Sequence, residues 1–169
     1  AIARAFACQP SLLICDEPTS SLDVSVQSLV LNTILRLQDE HSISLLFISH
    51  DLSVVRYLSD DVLILYLGRV CEYGRVDQVF QPPQHPYVEA LLSAVPVPDP
   101  TVRRARIRLE GSVPSATDPP TGCRFHTRCP RKVGPICEQE EPPRRERNGL
   151  TVFCHIPLEE LEQVQRAVR

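Results

Sequence analysis

Four consecutive apolar residues, Leu12-Leu13-Ile14-Cys15, run directly into two carboxylates, Asp16 and Glu17. A short, unbroken apolar run is the pattern of a strand buried on both faces, as in a parallel sheet. Two adjacent charges at the edge of such a core lose hydration and are costly unless something uses them. In open α/β sheets, ligands bind in the crevice beyond the carboxyl ends of the strands. An Asp placed there can hold Mg²⁺, because a hard cation takes oxygen ligands. A neighbouring Glu can orient or deprotonate an attacking water. The plainer alternative is a strand end followed by a turn at Pro18. The apolar run before the pair, and Ser20-Ser21-Leu22-Asp23 after it, favour the catalytic reading.

The surrounding pattern is α/β from Ser11 to Gly74. Val26, Leu29, Val30, Ile34 and Leu37 recur at helical spacing and predict a helix over 24–38. Asp23 is the expected N-cap, with Ser21 as a competitor. A second apolar run covers 43–48, a short helix is expected over 52–57, and a third strand over 62–65. Strands and helices alternating in this way predict a parallel sheet with right-handed crossovers. Gly68-Arg69 suits a turn into a hairpin strand over 70–73. His50 follows the second run, so it is expected at the same sheet edge as Asp16 and Glu17, where it can stabilise charge in phosphoryl transfer. A strand-end histidine is more commonly a hydrogen-bonder or a cap.

Beyond Gly74 the character changes. Short helices are expected over 76–80 and 87–95, followed by an extended linker at Pro96, Pro98 and Pro100. The resulting division is 1–80, a helix and proline-rich linker at 81–100, and a small appendage at 101–169 ending in a surface helix over 158–168. Among 169 residues, 43% are hydrophobic, enough for at least one moderate core. The formal net charge of -3 argues against a nucleic-acid partner. Two arginine clusters, Arg103, Arg104, Arg106 and Arg108, then Arg144, Arg145 and Arg147, read as solvated loop surface. No apolar run approaches the roughly 18–20 residues that span a bilayer, so a membrane role is expected to be peripheral.

The seven cysteines fall into two groups. Cys8, Cys15 and Cys71 lie in apolar surroundings and read as small buried side chains. Cys123, Cys129, Cys137 and Cys154 lie in a segment rich in Pro and Arg, with five, seven and sixteen residues between them. This is not the C-x₂-C knuckle of common zinc modules. Four thiolates can hold either zinc or an iron–sulfur cluster, and zinc with His126 or His155 as a substitute ligand is a third possibility. So little else orders this segment that a metal staple is expected.

Together these motifs resemble the ATP-binding subunits of ABC-type oligopeptide and dipeptide importers. Leu12 to Glu17 resembles the Walker B strand, Ser20-Ser21-Leu22-Asp23 the D-loop, and His50 the switch histidine. Ala1-Ile2-Ala3-Arg4-Ala5 is similar to the helix after the LSGGQ signature. His85-Pro86-Tyr87, Glu110-Gly111-Ser112-Val113-Pro114 and Gly122-Cys123-Arg124-Phe125-His126-Thr127-Arg128-Cys129-Pro130 resemble the C-terminal extension of the peptide-importer branch. The resemblance implies the C-terminal part of a P-loop ABC ATPase domain, a parallel sheet with helices, plus a cysteine-rich appendage. It implies ATP and Mg²⁺ as cofactors: Asp16 supports Mg²⁺, Glu17 is the catalytic carboxylate and His50 senses the γ-phosphate. Ser21 and Asp23 complete the nucleotide-binding set, with Asp23 at a dimer interface. For Cys123, Cys129, Cys137 and Cys154 it implies one [4Fe–4S] cluster, with Zn²⁺ as the alternative. The implied partners are a second ATPase subunit, membrane permease subunits and, indirectly, a solute-binding protein, at the cytoplasmic face of the membrane. The departures are the GxxxxGK[ST] loop, the Q-loop and LSGGQ, none of which is present, and the chain contains no methionine. The expectation is therefore a piece of a longer protein that does not grip ATP by itself. The alternative is an inactive relic or a metal-stapled interaction module.

Overall fold

The computed structural model describes residues 2–96 and 106–167. Pro98, Pro100, Arg103, Arg104 and the expected helix end at Val168 lie outside the described residues. The architecture is mixed α/β and separates into two compact units, residues 1–59 and 60–169.

The first unit runs α1 (Ile2–Phe6), β1 (Leu12–Asp16), α2 (Val24–His41), β2 (Ser44–Ile48) and α3 (Leu52–Leu58). β1 and β2 pair in parallel, with Ile14 opposite Leu46 and Asp16 opposite Ile48. Asp23 caps α2 by accepting from Val26 N at 2.9 Å, and Asp51 caps α3 by accepting from Ser53 N at 2.9 Å. Each cap satisfies an amide that the first turn leaves without an intrahelical partner. Burial on both strand faces is not observed. Leu13, Cys15, Leu45 and Phe47 are turned inward, whereas Leu12, Ile14, Leu46 and Ile48 are all exposed. Alternating side chains of a sheet point to opposite faces, so one whole apolar face of this pair is open.

The second unit corrects the expected parallel sheet. β3 (Asp61–Tyr66) does not join β1 and β2; it belongs to a four-stranded antiparallel sheet of order β3-β4-β6-β5. β4 is Arg69–Arg75, β5 is Arg144–Arg147 and β6 is Leu150–Phe153. The hairpin expected at Gly68-Arg69 does form. Tyr66 pairs with Arg69 across a two-residue loop in which Leu67 and Gly68 have φ of 46° and 74°. Two successive positive φ values make a turn whose twist matches an antiparallel hairpin, and Gly68 takes that conformation without the Cβ penalty. Nor does the cysteine-bearing segment stand apart as an appendage: Glu72 of β4 pairs with Val152 of β6. The β5–β6 hairpin turns through Asn148-Gly149, a dipeptide favoured in just such turns.

Register shifts between Ile64 and Leu65, which face Glu72 and Val70 respectively, so Cys71 is an extra residue on β4. Such a bulge breaks the alternation of the strand, and as a result Cys71 and Glu72, adjacent in sequence, are both buried. Glu72 is completely inside; its Oε2 accepts from His85 N, and burial pushes its carboxyl well above the usual carboxylate range. Burial likewise pushes the imidazole of His85 down to about 3. Both groups are thus held neutral, as buried ionisable groups without a charged partner must be.

The other elements close over this sheet: α4 (Val76–Val79), α5 (Pro86–Ser93), a 3₁₀ turn (His126–Arg128), α6 (Ile136–Gln139) and α7 (Leu158–Arg166). Tyr66, Tyr87 and Phe125 pack with ring centroids 4.8–5.2 Å apart. The expected surface helix α7 instead buries Leu158, Leu161 and Gln165. The Gln165 carboxamide donates to Gln84 O and accepts from Gln84 N, both at 2.8 Å. It therefore serves as a backbone substitute for a buried peptide. Replacing Gln165 by Leu leaves two buried backbone groups unpaired and should lower unfolding stability by about 2–4 kcal/mol. Urea denaturation checks this; Glu160→Gln, on the exposed side of α7, should change stability by less than about 0.5 kcal/mol.

Candidate functional site

The end of β1 and the end of β2 are level because the strands are parallel and in register. The ladder continues one residue past Asp16, as Glu17 N donates to Ile48 O at 2.9 Å. Glu17 has a φ of 46°, a left-handed conformation that costs a non-glycine residue about 1–3 kcal/mol. Ser20 N and Ser20 Oγ both donate to Glu17 O, at 3.3 and 3.1 Å, and hold the chain in that turn. Strain of this kind clusters at functional sites.

His50 lies two residues beyond the end of β2. Its Nδ1 is 2.8 Å from both Oε1 and Oε2 of Glu17. The histidine is not a helix cap, since Asp51 fills that role for α3. Its side chain is 76% exposed and that of Glu17 37% exposed. The hydrogen bond to Glu17, helped by the carboxylate's charge and that of Asp51, raises the imidazole above its ordinary proton affinity. The contact fixes the ring orientation and leaves Nε2 as the nitrogen available to a ligand. A carboxylate and an imidazole are thus brought together across 33 positions of sequence at the open carboxyl edge of a parallel strand pair.

The other expected residues sit close by in the chain with different engagements. Asp16 is the exposed last residue of β1, opposite Ile48. Ser21 is exposed. Asp23 is exposed too, and its Oδ1 is occupied by the α2 cap. A cap role and a ligand role compete for that carboxylate.

All seven cysteines are free. Cys15 and Cys71 are buried as expected, but Cys8 is exposed just past the end of α1. In the second unit, Cys123, Cys129, Cys137 and Cys154 gather within electrostatic reach of one another. Burial, reinforced by these neighbours, pushes the Cys129 thiol up to about 12 and the Cys154 thiol up to about 11. Gly122 makes the gathering possible: a Cβ there would lie 2.6 Å from Cys137 O, the carbonyl that accepts from Cys123 N at 2.9 Å. Among the described residues, however, no three Cys, His, Asp or Glu side chains are arranged to hold a single metal ion. His126 Nδ1 instead approaches Cys123 O at 2.9 Å, and His155 Nε2 approaches Glu140 O at 3.1 Å.

Sequence reasoning missed Cys71 as a neighbour of this group. Burial pushes its thiol up to about 12, and Cys123 and Cys154 add to the shift. Only the bulge turns Cys71 inward, and a bulge has no composition signal. Among the described residues, no helix is long and apolar enough to cross a membrane.

Residues 71–137 match the family described as the oligopeptide/dipeptide transporter, C-terminal region. The chain is 50% identical over 154 residues to a dipeptide transport ATP-binding protein of Escherichia coli K12, covering 91% of this chain and 46% of that protein. It is 53% identical over 143 residues to an oligopeptide transport ATP-binding protein of Salmonella typhimurium LT2, covering 83% and 42%. A di/tripeptide transport ATP-binding protein of Pseudomonas aeruginosa UCBPP-PA14 is 48% identical over 157 residues, covering 92% and 48%. The chain thus spans about half the length of the curated relatives it matches. These likenesses disfavour an unrelated interaction module.

The geometry of the carboxylate–imidazole pair makes a direct prediction. Glu17→Gln removes the charge and the strongest acceptor at Nδ1, so the His50 titration midpoint should move down. Asp23→Asn, at the α2 cap, should leave it where it is. Imidazole ¹⁵N and ¹H shifts followed against pH check this; an unmoved midpoint in Glu17→Gln would break the pair.

Proposed function

We propose, from the premise that the chain belongs with the ATP-binding subunits of peptide ABC transporters, that it carries the hydrolytic edge of an ATP-driven peptide importer. The observation that carries this reading is the 2.8 Å approach of His50 to Glu17 at the ends of two paired parallel strands. Glu17 orients and activates the water that attacks the γ-phosphate. His50 turns its Nε2 toward a γ-phosphate oxygen and stabilises charge as it develops. Asp16, at the end of β1, supports Mg²⁺ through oxygen. Ser21 and Asp23 face nucleotide across a closed pair of subunits. Nucleotide closes that pair, and the closure moves permease subunits at the cytoplasmic face, where this subunit is peripheral. The domain reading that accompanies this is a partial ATPase domain over 1–80, a connecting segment over 81–100 and a family-specific extension over 101–169, whose β6 joins the sheet of β3 and β4 rather than standing apart.

Cys123, Cys129, Cys137 and Cys154 are assigned to one [4Fe–4S] cluster rather than one ion. Four thiolates on a single zinc stand about 2.3 Å from it, hence roughly 3.8 Å from each other. Cys123, Cys129, Cys137 and Cys154, gathered within electrostatic reach of one another, would hold such a cluster through four thiolates, with Zn²⁺ as the alternative. When bound, such a cluster supplies a covalent cross-link between loops. Gly122 and Arg145 hold the cysteine segments in place, the latter by donating from Nε to Cys154 O at 2.9 Å.

Two measurements test these assignments. In a subunit of the relatives' full length carrying this sequence, Glu17→Gln should retain Mg-ATP binding and slow hydrolysis by about 10²–10⁴-fold. Hydrolysis at the normal rate would remove Glu17 from the mechanism. Anaerobic purification followed by iron, sulfide and zinc analysis should give four irons and four sulfides per chain. Stoichiometric zinc without iron would replace the cluster by a zinc staple.

A further inference from the structure

The C-terminal half of α5 and the extended segment at residues 106–109 line a cavity of about 510 Å³. Three arginines, Arg106, Arg108 and Arg128, line it as well, and among the described residues no acidic side chain does. The extended segment alternates, with Ile107 and Leu109 half-buried and Arg106 and Arg108 exposed. It is tied to α5 where Ile107 N donates to Ser93 Oγ at 3.0 Å. Arg128 comes from the 3₁₀ turn, and its Nε is buried without a hydrogen-bond partner. The Arg128 charge reaches the half-buried Tyr87 phenol. Among the described residues, none of the three guanidinium groups takes part in an ion pair.

Two ordinary roles fail to account for this group. A solvated loop arginine keeps its N–H groups in water, whereas Arg128 Nε is out of water and has no acceptor. Arginines also cap helix C-termini, but three of the last four carbonyls of α5 are already engaged. Ala90 O accepts from Ser93 Oγ, Leu91 O from Ala94 N and Leu92 O from Val95 N. What remains is a concentration of positive charge around a half-apolar cavity.

We propose that this cavity binds a phosphoryl group through Arg106, Arg108 and Arg128, with the apolar part of the same ligand against Ala90, Leu91 and Ala94. The planar guanidinium fork matches phosphate oxygens in pairs. A phosphate monoester carries close to two negative charges near neutral pH and offsets three cations better than one carboxylate does. A soluble phosphate monoester and the phosphomonoester headgroup of phosphatidic acid offer this same chemistry. Its lining residues all belong to the second unit and include neither Glu17 nor His50, so Glu17→Gln is expected to leave phosphate binding there unchanged.

Calorimetric titration of the full chain with inorganic phosphate, against acetate at equal ionic strength, measures the site. One saturable phosphate site is expected, weakened about tenfold or more by Arg128→Gln. The paired change Arg106→Gln with Arg108→Gln should weaken it similarly, and because both side chains are exposed this variant keeps its fold. Arg36→Gln, on α2, is the control and should bind as the parent does. Sedimentation with phosphatidylcholine vesicles, with and without phosphatidic acid, separates the two sources. Arginine-dependent binding to the anionic vesicles assigns a lipid headgroup; phosphate binding without vesicle binding assigns a soluble ester. If neither probe binds, or if the arginine variants leave binding unchanged, the proposal is overturned.

Discussion

The parallel pairing of β1 with β2 is the constraint on which the candidate site rests. With Asp16 opposite Ile48, the two carboxyl ends finish level, and the next residues of both strands emerge at one edge. A slip of one residue would turn every side chain of a strand to the opposite face and separate Glu17 from His50. Two local devices then refine the edge. The left-handed turn at Glu17 aims its carboxylate, and the Asp51 cap starts α3 directly after His50, leaving the imidazole free of helix duties. The site is therefore assembled from backbone: ladder, turn and cap set the geometry, and the side chains supply only the chemistry.

The second unit rests on a different device. The bulge at Cys71 places two consecutive β4 residues inside, one a thiol beside the four-cysteine group and the other a carboxyl kept neutral by burial. Neither placement is cheap. Glu72 Oε1 and Tyr66 OH are buried without a hydrogen-bond partner among the described residues. The aromatic packing of Tyr66, Tyr87 and Phe125, and the Gln165–Gln84 peptide pairing, offset that cost. Folding of this unit depends on contacts distant in sequence, β4 with β6 above all.

Sequence patterning made the first unit legible almost throughout. The apolar runs, the helical spacing of Val26, Leu29 and Leu37, and Asp23 as a cap all follow from period and residue type, and each element formed close to its expected bounds. The open face of Leu12, Ile14, Leu46 and Ile48 was not legible, because an unbroken apolar run records the capacity for burial rather than what covers the strand. In the second unit, local signals misled about topology. Val62 to Leu65 reads as another buried parallel strand, yet it lies in a separate antiparallel sheet, paired with β4 through the hairpin that Gly68-Arg69 signals. Asn148-Gly149 announced the β5–β6 hairpin and was overlooked among short polar segments. Neither the neighbours of Cys71 nor the buried partnership of Glu72 with His85 could be read in advance, because a bulge and long-range strand pairing create both.

The role proposed for the Glu17–His50 edge can be seen directly with nucleotide present. A structure of a full-length subunit carrying Glu17→Gln, solved with Mg-ATP, would show where the γ-phosphate sits. The expected result has His50 Nε2 within hydrogen-bond reach of a γ-phosphate oxygen, the residue 17 side chain beside an in-line water, and Mg²⁺ on the Asp16 side. Triphosphate density away from the ends of β1 and β2, with His50 still turned to residue 17, would contradict it.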